Sequence, residues 1–419
     1  MKFANLRVSH WRQFNEVNLA FHPRVTIITG ANGAGKSTLL KILSQHFGWA
    51  SSLLGTPRGN ANGASLYWYL DWDDEQTLTH PSMPGRGVAL TPIGTLAYAN
   101  GQETALNVPI SGSATYQVQI ARQQVVAGLF IGSHRPVVGY QPVTNIPTSS
   151  IGAQQAYQQY HQETLQRYNS GYTQYSATYR MKEAIISMAT FGPGNRNLAG
   201  NPELEKTFED FEAALRLVLP ETLGFQKLIV KIPDIILVTA TGEFVLDASS
   251  GGIMSLIDLV WQIFLYSRGK SEFTVVLDEP ENHLHPSMQR SILQSLVKAF
   301  PDAQFIIATH SPFVVSSVKD ASVYVLRYDI EATRSVRTVS SLLLDQFSRA
   351  GTASEILREA LGVPVTMPMW AEEELRQITL DFRINKLSEA SIDELRRRLQ
   401  NAGLEEFYPE ALSQVARQA

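Results

Sequence analysis

The sequence predicts an α/β protein built on a mixed central sheet. It adds a phosphate-binding loop (P-loop), an antiparallel β insertion, a helical lobe and a helical C-terminal region. Three apolar runs carry this expectation, because each ends in polar residues of defined chemistry. Arg24–Thr29 leads into Gly30-Ala31-Asn32-Gly33-Ala34-Gly35-Lys36-Ser37-Thr38, Thr274–Leu277 leads into Asp278-Glu279-Pro280, and Phe305–Ala308 leads into Thr309-His310-Ser311-Pro312. Strands covered on both faces read as continuous apolar runs, and α/β sheets bind ligands at the carboxyl ends of their strands.

The first run fits G-x-x-x-x-G-K-[ST] in the setting the motif needs, with a strand before it and the helical pattern Leu39-Leu40-Lys41-Ile42-Leu43 after it. Glycines let the backbone curl so that successive N–H groups of Asn32, Gly33, Ala34, Gly35 and Thr38 point at phosphate oxygens, and the helix N-terminus adds positive charge. Lys36 is expected to reach the β- and γ-phosphates and the Ser37 hydroxyl to ligate Mg²⁺. Asp278 is expected in the Mg²⁺ shell and Glu279 to polarise the attacking water. His310 is expected near the γ-phosphate. ATP and Mg²⁺ are therefore the predicted substrate and cofactor.

Taken in order, residues 1–49 hold two alternating strands (Phe3, Leu6, Val8; Val17, Leu19, Phe21), the P-loop strand and a helix over 36–48 that stops at Gly48. Residues 50–135 read as a β-rich insertion with strands at 65–72, 94–98 and 114–120. The run 126–131 is apolar enough to return to the central sheet. Residues 136–220 read as a helical lobe with helices at 153–168, 179–189 and 203–219. Residues 221–330 resume the core with strands at 228–232, 235–238 and 244–246, a helix at 253–267 and a further helix at 287–300. Residues 331–419 read as a helical region, with a capping box at Ser391-Ile392-Asp393-Glu394 and a C-cap at Gly403. Ala248-Ser249-Ser250-Gly251-Gly252 opens the 253–267 helix as a second anion-binding end. His283 and His285 are too closely spaced, with no carboxylate triad beyond Glu281, to be read as a metal site.

With no cysteine among 419 residues, disulfides, zinc-thiolate sites, Fe–S clusters and Cys nucleophiles are excluded. A net charge of −4 carries no overall basic signature for nucleic acid. Met1–Arg7 lacks an apolar signal core, and no run of about 18 apolar residues occurs, so a cytoplasmic protein without a membrane span is expected.

In this order the P-loop, the Ser-Gly helix start, the Asp278-Glu279 strand and His310 resemble the ABC-type ATPases. The match covers residues 1–48 and 245–315 well and the middle hardly at all. The run Glu281-Asn282-His283-Leu284-His285-Pro286 resembles the stand-alone prokaryotic AAA ATPases that share the head of SMC, Rad50 and OLD proteins. The resemblance implies a homodimer, or a higher oligomer, in which Ser249, Ser250 and Gly251 of one subunit cap the γ-phosphate on the P-loop of the other. Here Ala248 stands for the usual Leu and Gly252 for the usual final polar residue. Members often carry an Arg-containing segment after the middle strand. Gly132-Ser133-His134-Arg135-Pro136 is the candidate, with Arg135 near the nucleotide and Gln141 as the alternative.

The insertions are too short and too poor in heptads for a long coiled coil, and residues 313–419 lack the carboxylates of a Toprim nuclease. Relatives of this kind in anti-phage defence, such as Septu-like, retron-associated and PARIS-like systems, imply an ATPase that senses or scaffolds. It would hold a separate operon-encoded effector, such as an HNH or Toprim nuclease or a toxin. Any nucleic-acid contact would then be indirect. The alternative is an SMC/RecF/Rad50-like DNA-repair ATPase that acts directly on DNA.

Overall fold

A computed structural model describes residues 1–59, 65–68, 90–109, 113–134, 139–145, 148–329, 337–345, 353, 356, 368–382 and 389–416. Two compact units result, Met1–Ile356 and Leu357–Ala419.

The first unit begins with strands β1 (Phe3–Trp11), β2 (Phe14–Ala20) and β3 (Val25–Gly30), then helix α1 (Lys36–Ser44). A single 3₁₀ turn, Gln45–Phe47, ends on Gly48 at φ 83°, where the sequence places the stop. Short strands β4 (Leu53–Leu54), β5 (Thr56–Gly59) and β6 (Ser65–Trp68) precede β7 (Leu90–Tyr98), β8 (Glu103–Pro109), β9 (Thr115–Tyr116), β10 (Gln119–Ile120) and β11 (Gly128–Ile131). Helices α2 (Ala153–Tyr168), α3 (Ala177–Phe191) and α4 (Pro202–Val218) form the helical lobe, beside the antiparallel sheet β12 (Phe225–Lys231), β13 (Asp234–Thr239) and β14 (Gly242–Val245). Then come α5 (Gly251–Ser267), β15 (Phe273–Asp278), α6 (Pro286–Ala299), β16 (Ala303–Ala308), α7 (Pro312–Val315), β17 (Ser322–Asp329) and β18 (Thr338–Leu343).

Eleven of these strands form one sheet in the order β10-β8-β7-β1-β2-β18-β17-β3-β16-β15-β11. From β17 to β11 all neighbours are parallel. β3, β15 and β16 are buried at every position, which is why they read as unbroken apolar runs. The strands from β10 to β2 pair antiparallel, and the period-two alternation holds in β1 from Leu6 to Val8 and in β2 from Val17 to Ala20. The β insertion thus extends the central sheet through β7 and β8, and β11 returns to it beside β15.

α5 is buried along most of its length. The two polar interruptions of its Leu256–Tyr266 run are accounted for: Asp258 accepts from the Tyr160 hydroxyl and, at 3.0 Å, from Gln262 Nε2. A buried acceptor without such donors costs about 1–3 kcal/mol.

Several expectations need correction. β8 was not anticipated, because Glu103–Pro109 alternates without a bulky apolar run. The single strand expected at 114–120 is two short ones, each pairing with a different partner, Leu53–Leu54 and β8. β18 lies between β2 and β17 in the core sheet, although its residues fall in the stretch read as a helical C-terminal region. Its pattern is short and polar, and only its neighbours make it a strand. Positions 69–72 of the strand expected at 65–72 lie outside the described residues.

The second unit contains α8 (Met369–Asp381), α9 (Glu389–Asn401) and α10 (Tyr408–Ala416), packed on Leu375, Leu395, Leu399, Leu404 and Val415. α9 already includes Ser391, so the capping box expected there is not at a helix start. Gly403 does terminate α9: at φ 70° it donates to Gln400 O at 3.1 Å, while Leu404 N–H reaches Leu399 O at 2.8 Å. Among the described residues no helix is long and apolar enough to cross a membrane.

Candidate functional site

Strand order builds the site. β16 lies between β3 and β15, so His310, just beyond β16, falls between the P-loop after β3 and the carboxylates after β15.

The P-loop turns on glycines where no other residue fits. Gly35 is at φ 97°, and a Cβ there would lie 2.4 Å from the Phe14 ring. Gly30 is at φ 142°, with Leu326 O 2.4 Å from the position of a Cβ. Two residues outside the motif brace the loop: Gln13 Nε2 donates to Gly33 O at 3.2 Å and the Tyr328 hydroxyl to Asn32 O at 3.4 Å. Ala34 is buried, Thr38 half-buried, and Asn32 and Gly33 are exposed.

Lys36 begins α1, and its ammonium donates to Gly30 O at 3.0 Å and Ala31 O at 3.3 Å. It also lies 3.3 Å from His310 Nδ1. Lysine only donates, so Nδ1 accepts and the imidazole proton sits on Nε2. That nitrogen is 3.3 Å from Glu279 Oε1. The result is a relay from ammonium through imidazole to carboxylate. Burial, and then the Lys36 charge, lowers the His310 pKa and keeps the ring neutral at pH 7, although Glu279 opposes the shift. Burial lowers Lys36 to about 8, against the pull of Glu279, Asp278 and Glu281.

Glu279 holds a left-handed backbone, φ 47°, at a non-glycine position. Such a conformation costs about 1–3 kcal/mol and persists where surrounding bonds impose it. Here Glu279 N–H donates to Ala308 O at 2.9 Å, and Asn282 Nδ2 donates both to Glu279 Oε2 at 3.1 Å and to Ser133 O at 3.2 Å. Asn282 thus ties the carboxylate to the segment after β11.

The Ser37 hydroxyl donates to Asp278 Oδ1 at 3.1 Å. Burial raises the Asp278 pKa, and the Ser37 bond opposes this. A hydroxyl and a buried carboxylate form a hard all-oxygen donor set, which suits Mg²⁺. A cavity of about 550 Å³ opens beside them, lined by Ser37, Asp278, Lys41, His134, Asp258 and Gln262.

Arg135 lies outside the described residues, while Gly132, Ser133 and His134 reach the site as just described. Gln141, the alternative, is committed to the helical lobe. It accepts from Ser176 N–H at 3.1 Å and Oγ at 3.2 Å and donates to Gln174 O at 3.3 Å.

Ser249, Ser250 and Gly251 open α5, where Ser250 Oγ caps Ile253 N–H at 3.4 Å. Just upstream, Asp247 pairs with the fully buried Lys182 of α3, which also lies 3.7 Å from Asp234. Gly252 departs from a polar residue for a packing reason: a Cβ there would stand 2.8 Å from His283 O. His285 is the N-cap of α6, its Nδ1 accepting from Ser287 N–H at 3.3 Å.

Glu281, Asn282, Gln13 and Tyr328 were given no role from the sequence. The first two stand in the run typical of the resembled group, which was the available signal. The other two stand in no motif.

Fold and site together set a phosphate-binding loop beside two carboxylates and a histidine at one end of a mixed α/β sheet. A family model described as "AAA domain" matches residues 5–77, and one described as "AAA domain, putative AbiEii toxin, Type IV TA system" matches 240–316. The chain is 28% identical over 168 residues to the Septu protein PtuA of Bacillus thuringiensis, covering 37% of this chain and 42% of that one. It is 42% identical over 52 residues to the Retron Vc95 probable ATPase of Vibrio cholerae serotype O1 biovar El Tor, covering 12% of this chain and 10% of that one. The chain therefore spans less than half the length of these curated relatives. Among solved structures, the SMC head domain from Thermotoga maritima aligns at a TM-score of 0.41 and 15% identity, covering 82% of this chain and all of that one. In sequence, the chain carries two stretches that match AAA-domain models and is similar over part of its length to a Septu protein and to retron probable ATPases.

Proposed function

We propose that the chain hydrolyses ATP and that its nucleotide state controls a separate effector protein. The observation that carries the catalytic half is the Lys36–His310–Glu279 relay beside the Ser37–Asp278 pair. P-loop amides and Lys36 bind and neutralise the phosphates. Glu279 accepts the proton of the attacking water, whose oxygen bonds to the γ-phosphorus as the bond to the ADP oxygen breaks. The His310 ring hydrogen-bonds the γ-phosphate oxygens. Ser37 and Asp278 would hold Mg²⁺, which when bound neutralises phosphate charge. Ser249, Ser250 and Gly251 of a second copy complete the site in a head-to-tail homodimer, and His134 and Arg135 contribute from the segment after β11.

Lys36 also implies a pH dependence. Phosphate binding raises its pKa above the free value of about 8. Below pH 8 the lysine is already protonated, and affinity is flat. Above pH 8 binding must take up a proton, so affinity falls, approaching about tenfold per pH unit. Titration calorimetry of ATP at pH 7, 8.5 and 9.5, in buffers of different ionisation enthalpy, should show both the fall and the proton uptake.

The relatives support the effector half of the reading, since one is a Septu protein and another a retron ATPase. Tagged protein purified from its native operon, with and without ATP, should carry a stoichiometric nuclease or toxin. Protein that instead carries DNA would favour the repair reading. The 50–180 region and the C-terminal helices are the proposed docking surfaces. Deletion of residues 353–419 is expected to abolish effector capture while ATP affinity stays within about twofold, since the described residues of the site all belong to the first unit. Retained capture would exclude the C-terminal helices.

A further inference from the structure

We propose that Glu281 is a positioning residue that sets the His310 imidazole against Lys36 and Glu279. The proposal rests on the ATPase reading above and assigns a further residue to it.

The pair His310–Glu279 spans two loops, one after β16 and one after β15. Backbone pairing ends at Asp278 and Ala308, with one further bond from Glu279 N–H to Ala308 O. Beyond that point only side chains tie the loops. Glu281 supplies the tie. Its Oε1 accepts from the Thr309 hydroxyl, from His310 N–H at 3.1 Å and from Ser311 N–H at 3.2 Å. The side chain is 7% exposed, and Oε2 is buried with no hydrogen-bond partner among the described residues. Three donors on one oxygen, two of them backbone amides, fix the backbone of His310 and Ser311 and the side chain of Thr309, which leaves the ring little choice but side-chain torsion. Burial of the carboxyl raises its pKa, and no lysine or arginine forms an ion pair with it among the described residues. A carboxylate is therefore kept there for its acceptor geometry. A misplacement of 1 Å in such a constellation can cost about 100-fold in rate.

Glu281→Ala removes the acceptor, and Glu281→Gln keeps it. Glu281→Ala is expected to lower kcat at least about tenfold, with KM for ATP within about threefold, and Glu281→Gln to restore kcat to within about threefold of wild type. Wild-type kcat in the Ala variant, or equal losses in both variants, overturns the proposal. Should Glu281→Ala fail to fold, Thr309→Val removes the hydroxyl that donates to Glu281 and accepts from Ser311 N–H at 3.0 Å, and an unchanged kcat there overturns it equally. A second readout is independent of turnover: ¹⁵N-histidine spectra, with the His310 ring identified by its loss in His310→Asn. In Glu281→Ala the ring nitrogens should move toward a mixed tautomer, and unmoved signals overturn the proposal. A wild-type chain without turnover would remove the ATPase reading, while these spectra would still decide the role of Glu281.

Discussion

Glu279→Gln is expected to bind MgATP within about threefold of wild type and to lose turnover by about 10²–10⁴, the usual contribution of a positioned general base. Glutamine keeps the size and the Oε1 acceptor that faces His310 Nε2 at 3.3 Å, so the backbone at φ 47° has no new strain to accommodate. What it loses is basicity. It also brings an amide toward Asn282 Nδ2, where Glu279 Oε2 now accepts at 3.1 Å, but the amide can flip to keep one of the two bonds. Nucleotide-bound protein should then accumulate as a dimer. Phosphate release measured beside equilibrium binding separates the two effects. Turnover at the wild-type rate would remove Glu279 from its assigned role. Dimerisation is read from light scattering with and without ATP.

The second large effect is expected from Lys36→Ala, which should weaken ATP binding by about 100-fold or more. Charge-assisted hydrogen bonds contribute about 1.5–3 kcal/mol each, and this ammonium would serve two phosphates. The unliganded fold should survive, because among the described residues Lys36 donates only to the Gly30 and Ala31 carbonyls and to His310, groups that line the open site. Losing the ammonium also takes away a charge that lowers the His310 pKa, so His310 should titrate at higher pH in the variant. Fluorescent-nucleotide titration, with thermal unfolding as the control for folding, checks both parts. Affinity within threefold of wild type would contradict the assignment.

Legibility from sequence followed burial. β3, β15 and β16 are covered on both faces, so their composition has no freedom, and their ends were read to within two residues. α5 was legible because the run Leu256–Tyr266 is interrupted only by Asp258 and Gln262, and both turn out to be bonded internally. β8 and β18 were missed for the opposite reason: each is partly exposed and takes its strand character from the neighbour it pairs with. The Ser391 box failed because Ser-x-x-Glu also occurs inside helices, and a helix's start depends on the residues before it.

By itself the sequence determined the chemical inventory: a P-loop lysine and serine, two carboxylates on one strand, a histidine on the next, and no thiol. These follow from residue identity and short spacing, which local backbone geometry translates directly. Tertiary structure decided the rest. β16 stands between β3 and β15, and this alone places a neutral His310 within reach of both Lys36 and Glu279. It also decided that Asn282 and Glu281, two residues in one turn, face different loops, one holding Glu279 and the other the backbone at His310. Such contacts join segments some 30 to 270 residues apart. No local pattern encodes them, because strand order in a parallel sheet is set by which buried faces pack together and not by spacing along the chain.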